Sequence, residues 1–141
     1  MPRNEYQMER RPRGFCFINN NFDFENVHDK RIGSDLDVQK LKDTFKELHF
    51  KPIVTLNLSK DQLLFELGSL ARMEELEDHD AIVISLNSHG RSGYYLCADN
   101  QEVSFEEILD IFSDDNCEHL KKKPKLIFFN CCRRGSSERK I

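Results

Sequence analysis

Four short apolar runs alternate with longer amphipathic stretches along the chain. Each run is rich in β-branched or aromatic residues and too short for an ordinary helix, which predicts strands at 15–18, 52–58, 81–86 and 126–129. A further brief strand or hairpin is predicted at 94–96. Alternation of this kind is typical of a parallel sheet joined by right-handed crossovers. We therefore predict an α/β domain with an open, mainly parallel sheet and helices on both faces.

The stretches between the runs carry helical periodicity and start signals. In each of three stretches, apolar residues recur on one face: Val38, Leu41, Phe45 and Leu48; Leu63, Leu67, Leu70 and Met73; Phe105, Ile108, Leu109 and Phe112. Asp35 or Asp37 can cap the first helix, and residues 59–62 and 104–107 have the Ser-x-x-Gln/Glu pattern of a capping box. Three asparagines follow the first apolar run and favour a turn there.

The length and the charge balance of the chain limit the classes of protein to which it can belong. A chain of 141 residues with 38% hydrophobic content suits one domain with one core. Residues 1–13 are polar and basic without periodicity, which predicts a flexible arm followed by a domain over 14–141. With 21 basic and 25 acidic residues, no net field favours nucleic acid or an anionic membrane. With no apolar span and no secretory leader, we expect a cytoplasmic protein.

The pattern of the five cysteines suggests neither a disulfide framework nor a metal site. They are an odd set with no CxxC pair and no histidine at ligand spacing: Cys16, Cys97, Cys117, Cys131 and Cys132. We expect reduced thiols and no metal or cofactor.

Three reactive side chains follow predicted strands. Arg31 lies in the loop after the first strand, His89 follows the third, and Cys132 follows the last. Ligands gather at the carboxyl edge of parallel sheets, and an imidazole there can accept a thiol proton. Taken singly, each has an ordinary interpretation: a core cysteine, a turn histidine and a solvated arginine. Their joint placement at one edge suggests a cysteine hydrolase.

Several segments resemble the large catalytic subunit of the caspase family. RGFCFINNNF at 13–22 is similar to the family's opening strand, and RIGSDLDVQKL at 31–41 to its Arg-x-Gly-(Ser/Thr)-Asp segment. Residues 88–90 match its Ser-His-Gly, and KPKLIFFNCCRR at 123–134 stands where its Gln-Ala-Cys-(Arg/Gln/Gly)-Gly signature falls. The resemblance covers nearly the whole chain and implies a caspase-like open sheet.

The resemblance implies an Asp-specific cysteine endopeptidase of apoptosis or inflammatory signalling. Alignment on KPKL without a gap puts Cys132 on the family's nucleophile and Cys131 on its alanine. His89 then acts as general base and acid, and the backbone N–H groups of Gly90 and Cys132 form the oxyanion hole. Because successive side chains alternate along an extended segment, Cys131 is expected to be a packing residue.

The resemblance also implies a substrate pocket and partners. Arg31 and Asn130 would bind the substrate aspartate, since an arginine fork pairs bidentately with a carboxylate. The family's small subunit would complete the groove and the dimer, as a homodimer or heterodimer of large and small pairs. The expected substrates are proteins with an exposed Asp.

Two departures from the signature leave a second hypothesis open. Asn130 is one methylene shorter than the family's glutamine, so a water can take the place of its contact. Arg134 stands on the family's glycine and costs about 1 kcal/mol if that glycine has positive φ, unless one inserted residue gives this role to Gly135. The second hypothesis is a catalytically impaired pseudo-caspase that dimerises with and regulates an active paralogue. A nucleotide-binding α/β domain is disfavoured because GxGxxG and P-loop motifs are absent.

Overall fold

The computed structural model describes residues 6–24, 31 and 34–133, with the backbone alone at 132 and 133. The described residues form six strands: β1 Gly14–Asn20, β2 Phe50–Leu56, β3 Ile82–Arg91, β4 Tyr94–Leu96, β5 Glu102–Ser104 and β6 Lys125–Arg133. They form three α-helices: α1 Ser34–Glu47, α2 Lys60–Ala71 and α3 Phe105–Ile111. Short 3-10 turns lie at Glu74–Asp78 and Glu118–Leu120.

The sheet is mainly parallel. β1 pairs in parallel with β2 on one side and with β3 on the other, and β6 pairs in parallel with β3. β4 continues from β3 as an antiparallel hairpin and pairs with β5. The open sheet predicted from the alternating pattern is confirmed.

Helices cover both faces of the sheet, as predicted. On one face, Leu67 of α2 and Ile108 of α3 pack with Phe17 of β1 in the larger core cluster. On the other face, Val38 of α1 packs with Ile18 of β1 in a smaller cluster. None of the described helices is long and apolar enough to cross a membrane.

The strands are longer than predicted, and this changes the surroundings of the site. β1 runs through Asn19 and Asn20, so the predicted turn at the first two asparagines is wrong. The Asn19 amide is buried, but it donates a hydrogen bond to Tyr95 Oη at 2.8 Å. Because its side chain has this partner, Asn19 can lie inside a buried strand. His89 and Cys132 lie within β3 and β6 rather than after them.

Both predicted capping boxes are confirmed. Most differences between the predicted and the observed helices lie at the helix ends. Leu48 and Met73 were predicted to face inward but lie just beyond α1 and α2, and are 45% and 36% exposed. Leu109 is 48% exposed because α3 turns only its Ile108 side to the core. Asp35 lies inside the first turn of α1 rather than before it.

The segment before β1 contacts the domain. Arg10 N donates to Asp80 Oδ2 at 2.8 Å, and Asp80 N donates to Arg13 O at 2.7 Å. The division into an arm over 1–13 and a domain over 14–141 stays a prediction.

Candidate functional site

The register of β3 and β6 makes His89 and Cys132 neighbours. The two strands are parallel and their residues pair one to one from Ile82 opposite Lys125 to Gly90 opposite Arg133, with His89 opposite Cys132. Adjacent strands lie about 4.8 Å apart, so the imidazole and position 132 meet at the carboxyl edge of the sheet. The side chain of Cys132 lies outside the described part of the chain, as do Arg134 and Gly135.

Phe24 packs against the His89 ring. The ring centroids are 5.1 Å apart with 32° between the planes, and Phe24 is buried. His89 itself is half-buried at the end of β3. An aromatic wall beside an imidazole limits the rotations open to it, and therefore favours a fixed position for a general base.

Gly90 is required by a close approach of three strands. A Cβ at this position would lie 2.5 Å from Tyr94 O and 2.9 Å from Cys131 Cβ. No side chain fits between β4 and β6 at that distance, so a glycine after His89 lets the strands close around the site.

Arg31 is anchored to the end of β1. Its Nη1 donates to Asn20 Oδ1 at 2.6 Å and to Asn21 O at 3.0 Å, and its backbone N donates to Phe22 O at 2.9 Å. These bonds fix the guanidinium next to the sheet edge through its Nη1.

Arg31 and Asn130 line the same cavity. It has a volume of about 670 Å³ and lies between α1 and the ends of β3 and β6, where Asn87, Asp37 and Lys40 also line it. The structure thus brings together the two residues that the resemblance assigns to substrate binding. The assignment itself stays a prediction.

The Asn130 amide is directed to the sheet. Its Nδ2 donates to Asn87 Oδ1 at 2.9 Å and to Ser85 Oγ at 3.2 Å. An amide nitrogen carries two hydrogens, so this pair of bonds uses both.

A buried hydroxyl holds β3 just before the site. Tyr95 is fully buried; its Oη accepts from Asn19 Nδ2 at 2.8 Å and Asn21 Nδ2 at 3.3 Å and donates to Asn87 O at 3.2 Å. One residue further on, Ser88 Oγ donates to Leu96 O at 2.6 Å. These bonds tie the strand that carries His89 to β1 and β4.

Replacing Tyr95 with phenylalanine is expected to destabilise the fold by about 1–3 kcal/mol, because two buried amides and one buried carbonyl each lose one of their hydrogen bonds. Urea unfolding of the two proteins measures the difference. Tyr94→Phe is the matched control, since Tyr94 is 37% exposed; we expect it within about 0.5 kcal/mol of wild type. Equal stability of Tyr95→Phe and wild type would show that this hydroxyl does not support β3.

The other cysteines are poor candidates for a nucleophile. Cys16 and Cys97 are fully buried, and burial raises the pKa of each thiol to about 12. Burial also raises the pKa of Cys117. Such thiols stay protonated near neutral pH, whereas the thiolate is the nucleophilic form. Cys131 is half-buried and packs against the larger core cluster, which confirms its interpretation as a packing residue.

No group of three or more histidine, cysteine or carboxylate side chains is placed to hold a metal among the residues with described positions.

Sequence reasoning missed Phe24, Ser85, Asn87 and Tyr95. A partial signal exists for two of them, because Ser85 and Asn87 are polar residues inside the apolar run AIVISLN. A polar residue buried in a strand needs a partner, but the sequence does not identify it. Phe24 carries no signal, since its contact with His89 depends on the path of the loop after β1.

The fold and the site together define an α/β domain with a candidate Cys–His site at the carboxyl edge of a parallel sheet. Comparison with known proteins identifies the family: the caspase domain (peptidase C14) matches residues 13–141. The chain therefore belongs to the caspase family, a family of cysteine proteases.

Individual relatives agree with this assignment. The chain is 32% identical to mouse Caspase-8 over 144 residues, covering 96% of this chain and 30% of the relative. It is 34% identical to human Caspase-9 over 139 residues (90% and 32%) and 32% identical to fruit-fly Caspase-1 over 130 residues (91% and 39%). The chain thus spans about a third of the length of these curated relatives.

Proposed function

We propose that this chain is the large catalytic part of an Asp-specific cysteine endopeptidase that acts in the cytoplasm, in apoptosis or inflammatory signalling. The observation that carries the proposal is the β3–β6 register, which puts His89 opposite Cys132 beside the Arg31 cavity. Family membership supports the same chemistry.

The mechanism is acyl transfer. His89 takes the proton of the Cys132 thiol, and the thiolate attacks the carbonyl carbon on the carboxyl side of the substrate Asp. The N–H groups of Gly90 and Cys132 hold the oxyanion, and the bond to the leaving amine breaks as His89 returns its proton to that amine. Water, deprotonated by His89, then hydrolyses the thioester and releases the Cys132 thiol.

Arg31 gives the pocket its charge preference. Its Nη1 is held by Asn20 and Asn21, while Nη2 can donate to a carboxylate in the cavity. A guanidinium fixed in this way favours an acidic side chain over an apolar or basic one.

The proposed partner is the caspase small subunit. Among the described strands β6 pairs with β3 alone, so its other side offers unpaired backbone groups to a further strand. Leu126 and Phe128 of β6 are 39% and 42% exposed. An apolar strand at a sheet edge fits a protein partner that covers it, and we propose that pairs of large and small subunits then form a homodimer or heterodimer.

The test uses the full-length protein with its small subunit and fluorogenic peptides that differ at the residue before the cleaved bond. We expect cleavage after Asp to exceed cleavage after Lys or Leu by at least about 100-fold in kcat/KM, because those side chains do not pair with Arg31. Replacing Arg31 with alanine should reduce kcat/KM for the Asp peptide by a similar factor. Cleavage after Lys or Leu at the Asp rate would contradict the proposal.

The second candidate function is a pseudo-caspase that regulates an active paralogue. It is favoured by the hydrogen bonds that direct the Asn130 amide away from a substrate carboxylate. In that case the wild-type pair of subunits cleaves no Asp peptide, yet mixing it with an active caspase changes the rate of the latter. The same peptide panel separates the two functions.

A further inference from the structure

A short segment after β1 brings Phe24 to the His89 ring. β1 ends at Asn20, and Phe24 follows four residues later, 3% exposed and with its ring centroid 5.1 Å from that of His89. Residues 22–24 belong to no helix or strand. The bonds of a regular element therefore do not fix the position of Phe24, and other contacts have to do so.

The side chain of Asn57 supplies such a contact. Asn57 directly follows β2, and its Oδ1 accepts hydrogen bonds from the backbone N of Phe22 and of Asp23, both at 3.0 Å. Backbone N–H groups only donate, so the atom that Asn57 presents to them is its oxygen. A bond in the reverse direction follows, since Leu58 N donates to Asn21 Oδ1 at 3.0 Å. Two asparagine side chains thus join the segments after β1 and β2.

The backbone of Asn57 suits this role. Its φ is 53°, in the left-handed region that asparagine, aspartate and glycine adopt more readily than other residues. Its backbone N donates to Asn20 O at 3.0 Å, which continues the pairing of β1 with β2. Glycine can keep this backbone without the side chain, and aspartate can keep both the backbone and the acceptor. The position therefore offers a matched pair of variants.

We propose that Asn57 is a positioning residue for the proposed reaction: through residues 22–24 it holds Phe24 against the His89 ring, and so keeps the imidazole turned to position 132. The inference rests on the proposed function, because it takes His89 as the general base. Strand β3 fixes the backbone of His89, so the remaining freedom is rotation of its side chain. An imidazole that has rotated away from position 132 cannot accept the thiol proton.

The kinetic test uses Asp peptides and the full-length protein with its small subunit. Asn57→Gly removes the acceptor and should lower kcat about 10-fold or more, since the base is less often in place. The Arg31 guanidinium is bonded to Asn20 and Asn21, and only the backbone N of Arg31 to Phe22. KM should therefore stay within about 3-fold of wild type. Asn57→Asp keeps an acceptor for both N–H groups and should restore kcat to within about 3-fold of wild type.

Two controls separate this effect from a general loss of structure. Asn100→Gly makes the same substitution at another asparagine of positive φ, 66°, with an exposed side chain, and should leave kcat unchanged. In a Phe24→Leu background, Asn57→Gly should lower kcat by less than about 3-fold, because it acts through Phe24. An unchanged kcat in Asn57→Gly, no rescue by Asn57→Asp, or a full effect without Phe24 overturns the inference.

A spectroscopic readout does not depend on turnover. In Cys132→Ala protein with ¹³C-labelled histidine, the Phe24 ring shifts the His89 Cε1–H signal, which is assigned as the one missing from His89→Gln. Asn57→Gly should move that signal toward its position in Phe24→Leu, whereas Asn57→Asp should leave it in place. A signal that does not move in Asn57→Gly overturns the inference even if peptides are cleaved.

A measurement on the wild-type protein covers the case in which Asn57→Gly fails to fold. The amide protons of Phe22 and Asp23 should exchange with solvent at least about 10-fold more slowly than in an unstructured peptide. Exchange at the rate of the peptide overturns the inference. If the wild-type protein cleaves no Asp peptide, the proposed function fails, and the histidine signal and the exchange rates still decide whether Asn57 holds Phe24 against His89.

Discussion

Cys132→Ala is expected to lower kcat for Asp peptides by about 10⁴-fold or more, while Cys131→Ala keeps kcat within about 10-fold of wild type. The difference follows from the register of β3 and β6. Position 132 is opposite His89, whereas Cys131 is opposite Ser88 and packs against the core on the other side of the sheet. Removing the nucleophile of a covalent mechanism leaves only the contribution of binding and the oxyanion donors.

The Cys131 variant has a structural cost of its own. Cys131 is half-buried, and its removal takes one sulfur from a packed layer, which costs about 1 kcal/mol of folding free energy. The assay should therefore be run well below the unfolding temperature of this variant. A covalent Asp-directed inhibitor followed by peptide mass analysis gives independent evidence, since it should label Cys132 and spare Cys131. The opposite labelling would mean that the alignment on KPKL is shifted by one residue.

Local sequence patterns predicted the elements well, because the interactions that fix them are local. The boxes at 59–62 and 104–107 each close within one helical turn, and the structure has both. The apolar runs predicted four of the strands because a short continuous apolar run is typical of a strand that is buried on both faces. Ile82 and Ile84 of β3, for example, are fully buried. Strand ends were less predictable, since pairing with a neighbour extended β3 and β6 past their apolar runs.

The asparagines after the first strand show why local preference failed at the site. Asn19, Asn20 and Asn21 favour turns in isolation, yet all three are buried. Asn19 and Asn21 donate to Tyr95, more than 70 residues away, and Asn20 accepts from Arg31. Hydrogen bonds over such separations override turn propensity, and the sequence gives no means to pair the partners.

The candidate site, too, could be predicted only in part from the sequence. His89 and Arg31 could be assigned to one edge because strand ends in a parallel sheet meet there. The hydrogen bond from Asn130 to Asn87 could not be predicted, because it depends on the two residues lying directly opposite each other, which is a property of the register. A shift of the pairing by one residue would turn that amide pair to opposite faces.

Gly90→Ala is expected to destabilise the fold by about 1–3 kcal/mol, or about 3–10 °C in Tm, and to lower kcat/KM by at least about 100-fold. The new methyl group would lie 2.5 Å from Tyr94 O and 2.9 Å from Cys131 Cβ, so the backbone of β4 has to move. Such a shift displaces the Gly90 N–H and the adjacent His89, and a misplacement near 1 Å costs about 10²-fold in rate.

Gly68→Ala is the matched control for the same substitution. Gly68 lies inside α2, where an added Cβ meets the Arg72 Nη1 at 3.3 Å, the far end of a flexible side chain. Alanine is about 0.5–1 kcal/mol better than glycine in a helix, so this variant should be slightly more stable than wild type and equally active. Thermal unfolding and peptide turnover of both variants give the comparison. If Gly90→Ala matched Gly68→Ala in both measurements, β4 and β6 could not approach Gly90 as closely as the structure has them, and the Gly90 N–H would lose its fixed place beside position 132.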